Sequence, residues 1–280
     1  MSAAQAPAMT VGEFLRSLWR IVAGRPNIPP ALQGNALLQT VLKRRSVRRF
    51  TQQGIPEEVF AAILEAARVA PSTVNLQSWA FAVFTAESWQ AAFGRAIPFK
   101  AQRAVIVLGD MHRNRAVLQA FPRSPLVEYS AAVMNASLAA MAMTIAAEAL
   151  GVGSVMLSET GRSGLLDAGY LKEKLGLPER VFPLMTIVFG YPAHAAPPMP
   201  PRLPLEQICF EGRYREADEA VMAEWMRQMT AGYKASFPTS SLQAQLGVYQ
   251  SKIGQAETDL RQMVFGENTG AVQKDDKNDN

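Results

Sequence analysis

Between Thr10 and Ala23 the apolar residues Val11, Phe14, Leu15, Leu18, Ile21 and Val22 recur at intervals of three and four, the spacing of one helix face. The pattern predicts a helical arm over 10–23, ended by the stiff linker "GRPNIPP". Leu37, Leu38, Val41 and Leu42 repeat the spacing over 35–43 and run straight into "KRRSVRRF", residues 43–50. In "IPEEVFAAILEAARVAPS" a third helix is expected. Pro56 suits its first turn, Glu57 and Glu58 suit the positive end of its dipole, and Val59, Ile63 and Ala66/Ala67 share a face.

The period then changes. "SWAFAVFTA" (78–86) and "RAVIVLGD" (103–110) are short and rich in β-branched and aromatic residues, which predicts two buried strands with a helix over 87–93 between them. Residues 125–150 are apolar nearly all round, so the long helix predicted there must touch neighbours on more than one side. "SVML" after Gly153 predicts a strand, "LLDAGYLKEKLGL" an amphipathic helix stopped at Gly176, and "FPLMTIVFGYP" a central strand closed by Gly190 and Pro192. Beyond the proline-rich "AHAAPPMPPRLP", helices are expected over 214–231 and 240–264, and "QKDDKNDN" is a solvated tail. Strands alternating with helices predict a mixed sheet covered by helices on both faces.

Composition narrows the function classes. A chain of 280 residues, 49% hydrophobic, can build a full core. Its charge of +4, from 28 basic and 24 acidic residues, is less lopsided than nucleic-acid binding usually requires, so no nucleic-acid partner is expected. One cysteine and two histidines exclude a disulfide framework and a four-ligand Cys/His zinc site, and no metal is expected. Cys209 reads as a small buried hydrophobe. The N-terminus lacks a basic leader and Glu13 interrupts its apolar stretch, which points to a cytoplasmic protein. Residues 131–157 are long enough to span a bilayer, but Asn135, Ser137, Thr144 and Glu148 argue for a buried helix, at a subunit interface, and against a membrane partner.

"KRRSVRRF" places five cations in seven positions. Continued as helix, the run would stack Arg44 on Arg48 and Arg45 on Arg49, like charges that cost stability unless an anion compensates. Arginine suits phosphate through paired charge-assisted hydrogen bonds, and Ser46 adds a hydroxyl. Taken alone, the run reads as a solvated basic face or a nucleic-acid patch ahead of a phosphate site, and with the N-terminal helix it offers an acidic-membrane contact. "APSTVNLQSW" supplies Ser72, Thr73, Asn75 and Gln77, neutral donors and acceptors able to read a heterocycle edge or a polyol. No Rossmann fingerprint or P-loop accompanies a strand. His112 and His194 read as exposed loop residues, while Trp79, Phe81, Phe84, Met141 and Met143 read as packing. Arg213, Arg215, Arg227 and Lys234, near or in the C-terminal helices, read as solvated surface or as a second cationic site for a phosphate.

Several linked segments, "RRSVRRF", "AARVAPSTVNLQSW", "AAEALGVGSVML", "LKEKLGLPERVFPLMTIVFGYPA" and "RLPLEQI", resemble the nitroreductase-like FMN-dependent oxidoreductases over about 37–214. The likeness is greatest to their larger NADPH-preferring flavin and nitro-reductases, which also carry long C-terminal helices. The resemblance implies an α+β fold with a mixed β-sheet and an intertwined homodimer. It implies one FMN at each of two shared sites, with NADPH or NADH as electron donor and no catalytic side chain. It divides the chain into an arm and linker (1–34), an FMN-binding core (35–214) and a helical extension (215–280). By position, Arg44, Arg45, Ser46 and Arg48 would hold the phosphate and ribityl chain, with Arg202 as a second arginine at the phosphate. Pro71, Ser72, Thr73, Asn75 and Gln77 would come from the other subunit. Met156, Leu157, Ser158 and Glu159 would fall beside flavin N5 and O4, although relatives often carry glycines where Ser158 and Glu159 stand.

The implied activity is ping-pong transfer from NAD(P)H to a small-molecule acceptor: a nitroaromatic, a quinone or a flavin. The same family scaffold also serves dehalogenation and ring fragmentation, and a non-catalytic flavin-binding dimer would keep the same binding residues.

Overall fold

The computed structural model describes residues 9–26, 28–119, 122–157, 164–195 and 197–266. Four strands, β1 (Trp79–Thr85), β2 (Arg103–Asp110), β3 (Gly153–Leu157) and β4 (Val181–Gly190), form one sheet in the order β1-β2-β4-β3. Ten α-helices are described around it. From the N-terminus they are α1 (Val11–Ala23), α2 (Ala36–Lys43), α3 (Glu57–Arg68), α4 (Ala86–Phe93) and α5 (Arg115–Leu118). There follow α6 (Pro125–Ala149), α7 (Ala168–Leu175), α8 (Leu205–Ile208), α9 (Glu219–Ser236) and α10 (Leu242–Phe265). The chain divides into two compact units. One comprises residues 34–196 with 251–280 and holds the sheet, while the other comprises residues 1–33 with 197–250.

In the sheet unit, helices cover both faces, as the sequence predicts. On one face α3 and α6 bury Phe60, Ile63, Ala136, Ala140 and Met143 against Val105, Val107, Ile187 and Phe189. On the other, Trp89 and Phe93 of α4 and Leu171 of α7 pack on Ala104, Ile106, Val155 and Val188. Trp79, Phe81 and Phe84 serve these two cores, and Met143 is fully buried, but Met141 stands 40% exposed. The long helix α6 is apolar enough to cross a bilayer by composition. Here its alanine-rich side, from Ala132 through Ala147, is buried on the sheet.

Five expectations need correction. All named strands pair antiparallel, and the parallel component of the expected mixed sheet is reduced, among the described residues, to an isolated bridge between Ser46 and Ser154. The basic run does not continue the helix: α2 stops at Lys43, and Arg44 turns out with ψ 131° so that Val47 N–H can donate to Ser154 C=O at 2.9 Å. Cys209 is exposed and fills no core. His112 is half-buried, its Nε2 2.9 Å from Arg115 Nη1, whereas His194 is exposed as expected. The helix expected from 214 starts at Glu219, where the Asp218 carboxylate accepts from Ala220 and Val221 N–H and caps the first turn.

In the other unit α1 packs along α9. Thr10 and Glu13 form a reciprocal capping box at the start of α1, and Arg20 pairs with Glu224 of α9.

Candidate functional site

The basic run lies against the outer edge of β3, and two glycines explain how it gets there. Gly153 and Gly190 face each other across β3 and β4. A Cβ on Gly153 would sit 2.8 Å from Val47 Cγ2, and one on Gly190 would sit 2.9 Å from Phe50 Cδ1. Only bare backbone at both positions lets Val47 and Phe50 dock there. The main chain completes the attachment, with Thr51 N–H donating to Tyr191 C=O at 2.8 Å and Ala193 N–H to Arg49 C=O at 3.0 Å. With Val47 and Phe50 turned inward, the intervening polar side chains are left at the edge.

These side chains are not equivalent. Arg45 donates through Nη1 to the carbonyls of Leu42, at 2.7 Å, and Arg44, at 2.9 Å, so it helps close the end of α2. Arg48 and Arg49 are exposed, and neither side chain has an ion pair or hydrogen bond among the described residues. Ser46 is half-buried with its hydroxyl equally free among those residues. Near the run, at the end of α6, stands the half-buried Glu148. Burial raises its carboxyl above the usual range, against the pull of Arg44 and Arg45. No ion pair joins Glu148 to the run among the described residues. The edge therefore keeps a surplus of positive charge for an outside anion.

The polar loop of residues 71–77 leads into β1 and is unusually constrained. Val74, Asn75 and Gln77 adopt φ of 49°, 54° and 48°, the left-handed region that side chains rarely occupy, and a β-branched valine least of all. The loop is tied by Gln77 N–H donating to Ser72 Oγ at 3.0 Å and by Asn135 of α6, whose Oδ1 accepts from Thr73 N–H at 3.0 Å. Thr73, Val74, Asn75 and Gln77 are nonetheless exposed. Strain of this kind, with none of the strained side chains buried in its own chain, marks a surface shaped for something else.

The two polar segments lie at opposite corners of the sheet. Trp79, just after the loop, pairs with Gly109, which pairs with Phe182 at the start of β4. The basic run meets Gly153 and Gly190, at the far end of β4 and on the far edge strand. Eight residues along a strand and three strand spacings across give a diagonal of roughly 30 Å. The structure therefore brings Arg44, Arg45, Ser46 and Arg48 together, and Pro71, Ser72, Thr73, Asn75 and Gln77 together, but not the two groups with each other.

Met156 and Leu157 end β3 on the same edge as the basic run. Met156 is 39% exposed and Leu157 is buried in the core. Ser158 and Glu159 lie outside the described residues. Arg202 is exposed in the extended segment before α8, in the other unit. In that unit Cys209, Phe210, Glu211, Arg213 and Arg215 line an open concavity of about 400 Å³. Phe210 and Tyr214 are stacked edge to face beside it. Of the four candidate cations, Arg227 is paired with Glu224 and Lys234 donates to Pro238 C=O, while Arg215 donates to Glu206 C=O. Arg213 has no ion pair or hydrogen bond among the described residues.

Sequence reasoning missed Asn135 as anything more than a polar interruption, and it missed Glu148 as a neighbour of the arginines. Both were visible as polar positions in an otherwise apolar helix.

Known proteins resemble this chain in sequence and in fold. The sequence model of the Nitroreductase family matches residues 41–191, more than half the chain. An Archaeoglobus fulgidus protein named putative NADH dehydrogenase/NAD(P)H nitroreductase is 32% identical over 55% of this chain and 84% of its own length. A Bacillus subtilis protein named FMN reductase [NAD(P)H] is 29% identical over 71% of this chain and 86% of its own. Among solved structures, NfrA2 of B. megaterium superposes with TM-score 0.68 at 21% identity, covering 83% of this chain and 97% of that one, a likeness of fold. With the match running from α2 through β4 and taking in both polar corners of the sheet, the chain belongs to the Nitroreductase family.

Proposed function

We propose that the protein is an FMN-dependent oxidoreductase that passes electrons from NAD(P)H to a nitroaromatic, quinone or flavin acceptor at a site shared by two copies of the chain. Relatives carry the names FMN reductase, NADPH nitroreductase and NADPH-flavin oxidoreductase, which supports the cofactor and the donor. The observation that carries the reading is the basic edge: an arginine run drawn out of helix onto β3, with Arg48, Arg49 and the Ser46 hydroxyl uncommitted among the described residues.

These residues fit the group. A phosphate monoester needs charge and several donors, which Arg44, Arg48 and Ser46 offer, with Arg45 closing α2 behind them. Met156, exposed on the same edge, offers an apolar surface beside the anion site. The exposed amides of Asn75 and Gln77 can donate to and accept from a heterocycle. Because one chain separates these groups by roughly 30 Å, in this reading the second set comes from another copy.

The surface of α6 supports that pairing. Val127, Met134, Leu138 and Met141 are exposed at intervals of seven, four and three, which forms one apolar stripe. Leu37 and Val41 of α2 are exposed as well. A self-complementary patch of this kind suits a two-fold dimer.

Bound FMN would supply the redox chemistry, accepting a hydride from the nicotinamide and releasing electrons to the second substrate. The chain's own work is to bind the phosphate, orient the ring through Asn75 and Gln77, and leave room for substrates. Donor and acceptor using one space in turn gives ping-pong kinetics.

The test is an absorption spectrum of the purified protein, before and after adding FMN, followed by anaerobic titration with NADH and NADPH. Flavin bleaching by one nicotinamide, with reoxidation by menadione or a nitroaromatic, is expected. Protein that stays colourless after FMN is added refutes the proposal.

A further inference from the structure

We infer that Asn135 is a positioning residue: from the middle of α6, its buried amide holds the 72–77 loop in the strained shape that presents Asn75 and Gln77 to the flavin. The inference rests on the functional reading above, since it assigns that loop a ligand.

Asn135 is 1% exposed, and each end of its amide is used. Oδ1 accepts from both Thr73 N–H, at 3.0 Å, and Thr73 Oγ1, at 3.2 Å. Nδ2 donates to Ser78 Oγ at 2.7 Å, and Ser78 is itself fully buried. The two residues grasped, Thr73 and Ser78, bracket Val74, Asn75 and Gln77, the three left-handed residues. Beside the tie from Gln77 N–H to Ser72 Oγ within the segment, this amide links both ends of the strained stretch to a rigid helix. It fixes the ends so that the interior cannot relax to ordinary dihedrals.

The second anchor is also rigid. Ser78 C=O accepts from Asp110 N–H at 3.0 Å at the end of β2, so the Asn135 clamp refers the loop to the sheet. A purely structural account, in which Asn135 only satisfies buried polar groups, leaves unexplained why the clamped residues turn outward. Val74 is 89% exposed, and Asn75 and Gln77 are exposed too, so none of the three left-handed side chains is buried in this chain. A rigid helix holding a strained, outward-facing loop is how a scaffold preorganises a binding group.

The experiment compares Asn135→Ala, Ser78→Ala and Asn135→Asp, which keeps the acceptor toward Thr73, with wild type. Two readouts are taken on folded protein. Amide hydrogen exchange at Thr73 and Gln77 without added flavin reports the clamp itself. FMN dissociation constants, with kcat and KM for the donor, report its use.

Asn135→Ala is expected to lose protection at Thr73 and to bind FMN about tenfold or more weakly, with kcat falling more than KM rises. Asn135→Asp should recover much of both, and Ser78→Ala should fall between. If Asn135→Ala loses protection yet binds FMN as wild type does, the positioning role is overturned while the functional reading stands. Wild type that takes up no flavin overturns that reading and this role together.

Discussion

Replacing Gly153 by alanine tests how the basic run is held at the sheet edge. The new methyl would lie 2.8 Å from Val47 Cγ2, 3.0 Å from Val47 Cβ and 3.0 Å from Pro192 Cγ. Carbon atoms attract best at about 3.5–4.0 Å, so each of these contacts is repulsive and something must move. Val47 is buried and β-branched, with few rotamers to retreat into. Overpacking of this kind costs about 1–3 kcal/mol. Alanine recovers about 0.5–1 kcal/mol by restricting the unfolded chain. The net loss of roughly 1–2 kcal/mol should lower the melting temperature by about 2–8 °C. Because Ser46 and Arg48 flank Val47, the displacement should also weaken FMN binding. Adding Val47→Ala removes the nearest atom and should restore part of both losses, a coupling measurable as a double-mutant cycle. Thermal unfolding and flavin fluorescence titration supply the two numbers. A Gly153→Ala protein with wild-type stability and flavin affinity would show that the edge opens freely and that Val47 docking does not place the arginines.

Arg48→Ala and Arg44→Ala should each weaken FMN binding by removing a charge-assisted bond worth about 1.5–3 kcal/mol, or roughly 10- to 150-fold in affinity. Equilibrium dialysis checks this, and unchanged affinity in both places the phosphate elsewhere. Leu138→Glu puts a charge in the middle of the apolar stripe on α6 and should shift the protein toward monomer in analytical ultracentrifugation, with flavin released in parallel. Glu148 has a raised carboxyl in the folded chain, so it favours folding below the ordinary carboxylate range and opposes it as pH rises through that range toward its raised value. Glu148→Gln should therefore gain on wild type in melting temperature as pH climbs from the acid side to neutrality. A variant less stable than wild type at neutral pH would mean that attraction to Arg44 and Arg45 outweighs burial.

Most of the regular structure was legible because its causes are local. The three- and four-residue spacing placed α1, α2 and α3, and the β-branched and aromatic runs placed all four strands to within a residue or two. Legibility failed where a distant partner decides. Nothing in "KRRSVRRF" announces that Val47 will find Gly153, so the run looked like more helix, whereas the pairing of Ser46 with Ser154 draws it out. The start of α9 could have been read from Asp218, a capping residue directly ahead of Glu219. The habits of its residue type place Cys209 in a core, whereas it stands exposed at the end of α8. At the candidate site, Arg44, Arg48, Asn75 and Gln77 could be named from residue chemistry and family likeness. The left-handed dihedrals of Val74 and Gln77 could not, since neither residue type suggests them and the Asn135 clamp that holds them is about sixty positions away in sequence.

The far-apart placement of the arginine edge and the strained loop has a thermodynamic corollary. When neither partner alone can enclose a ligand, ligand binding and pairing are linked functions: the ligand strengthens pairing by the same factor by which pairing strengthens binding of the ligand. Diluting the protein should then bleed away its yellow colour, and stripping the colour should loosen the pair, with no residue at the contact having changed.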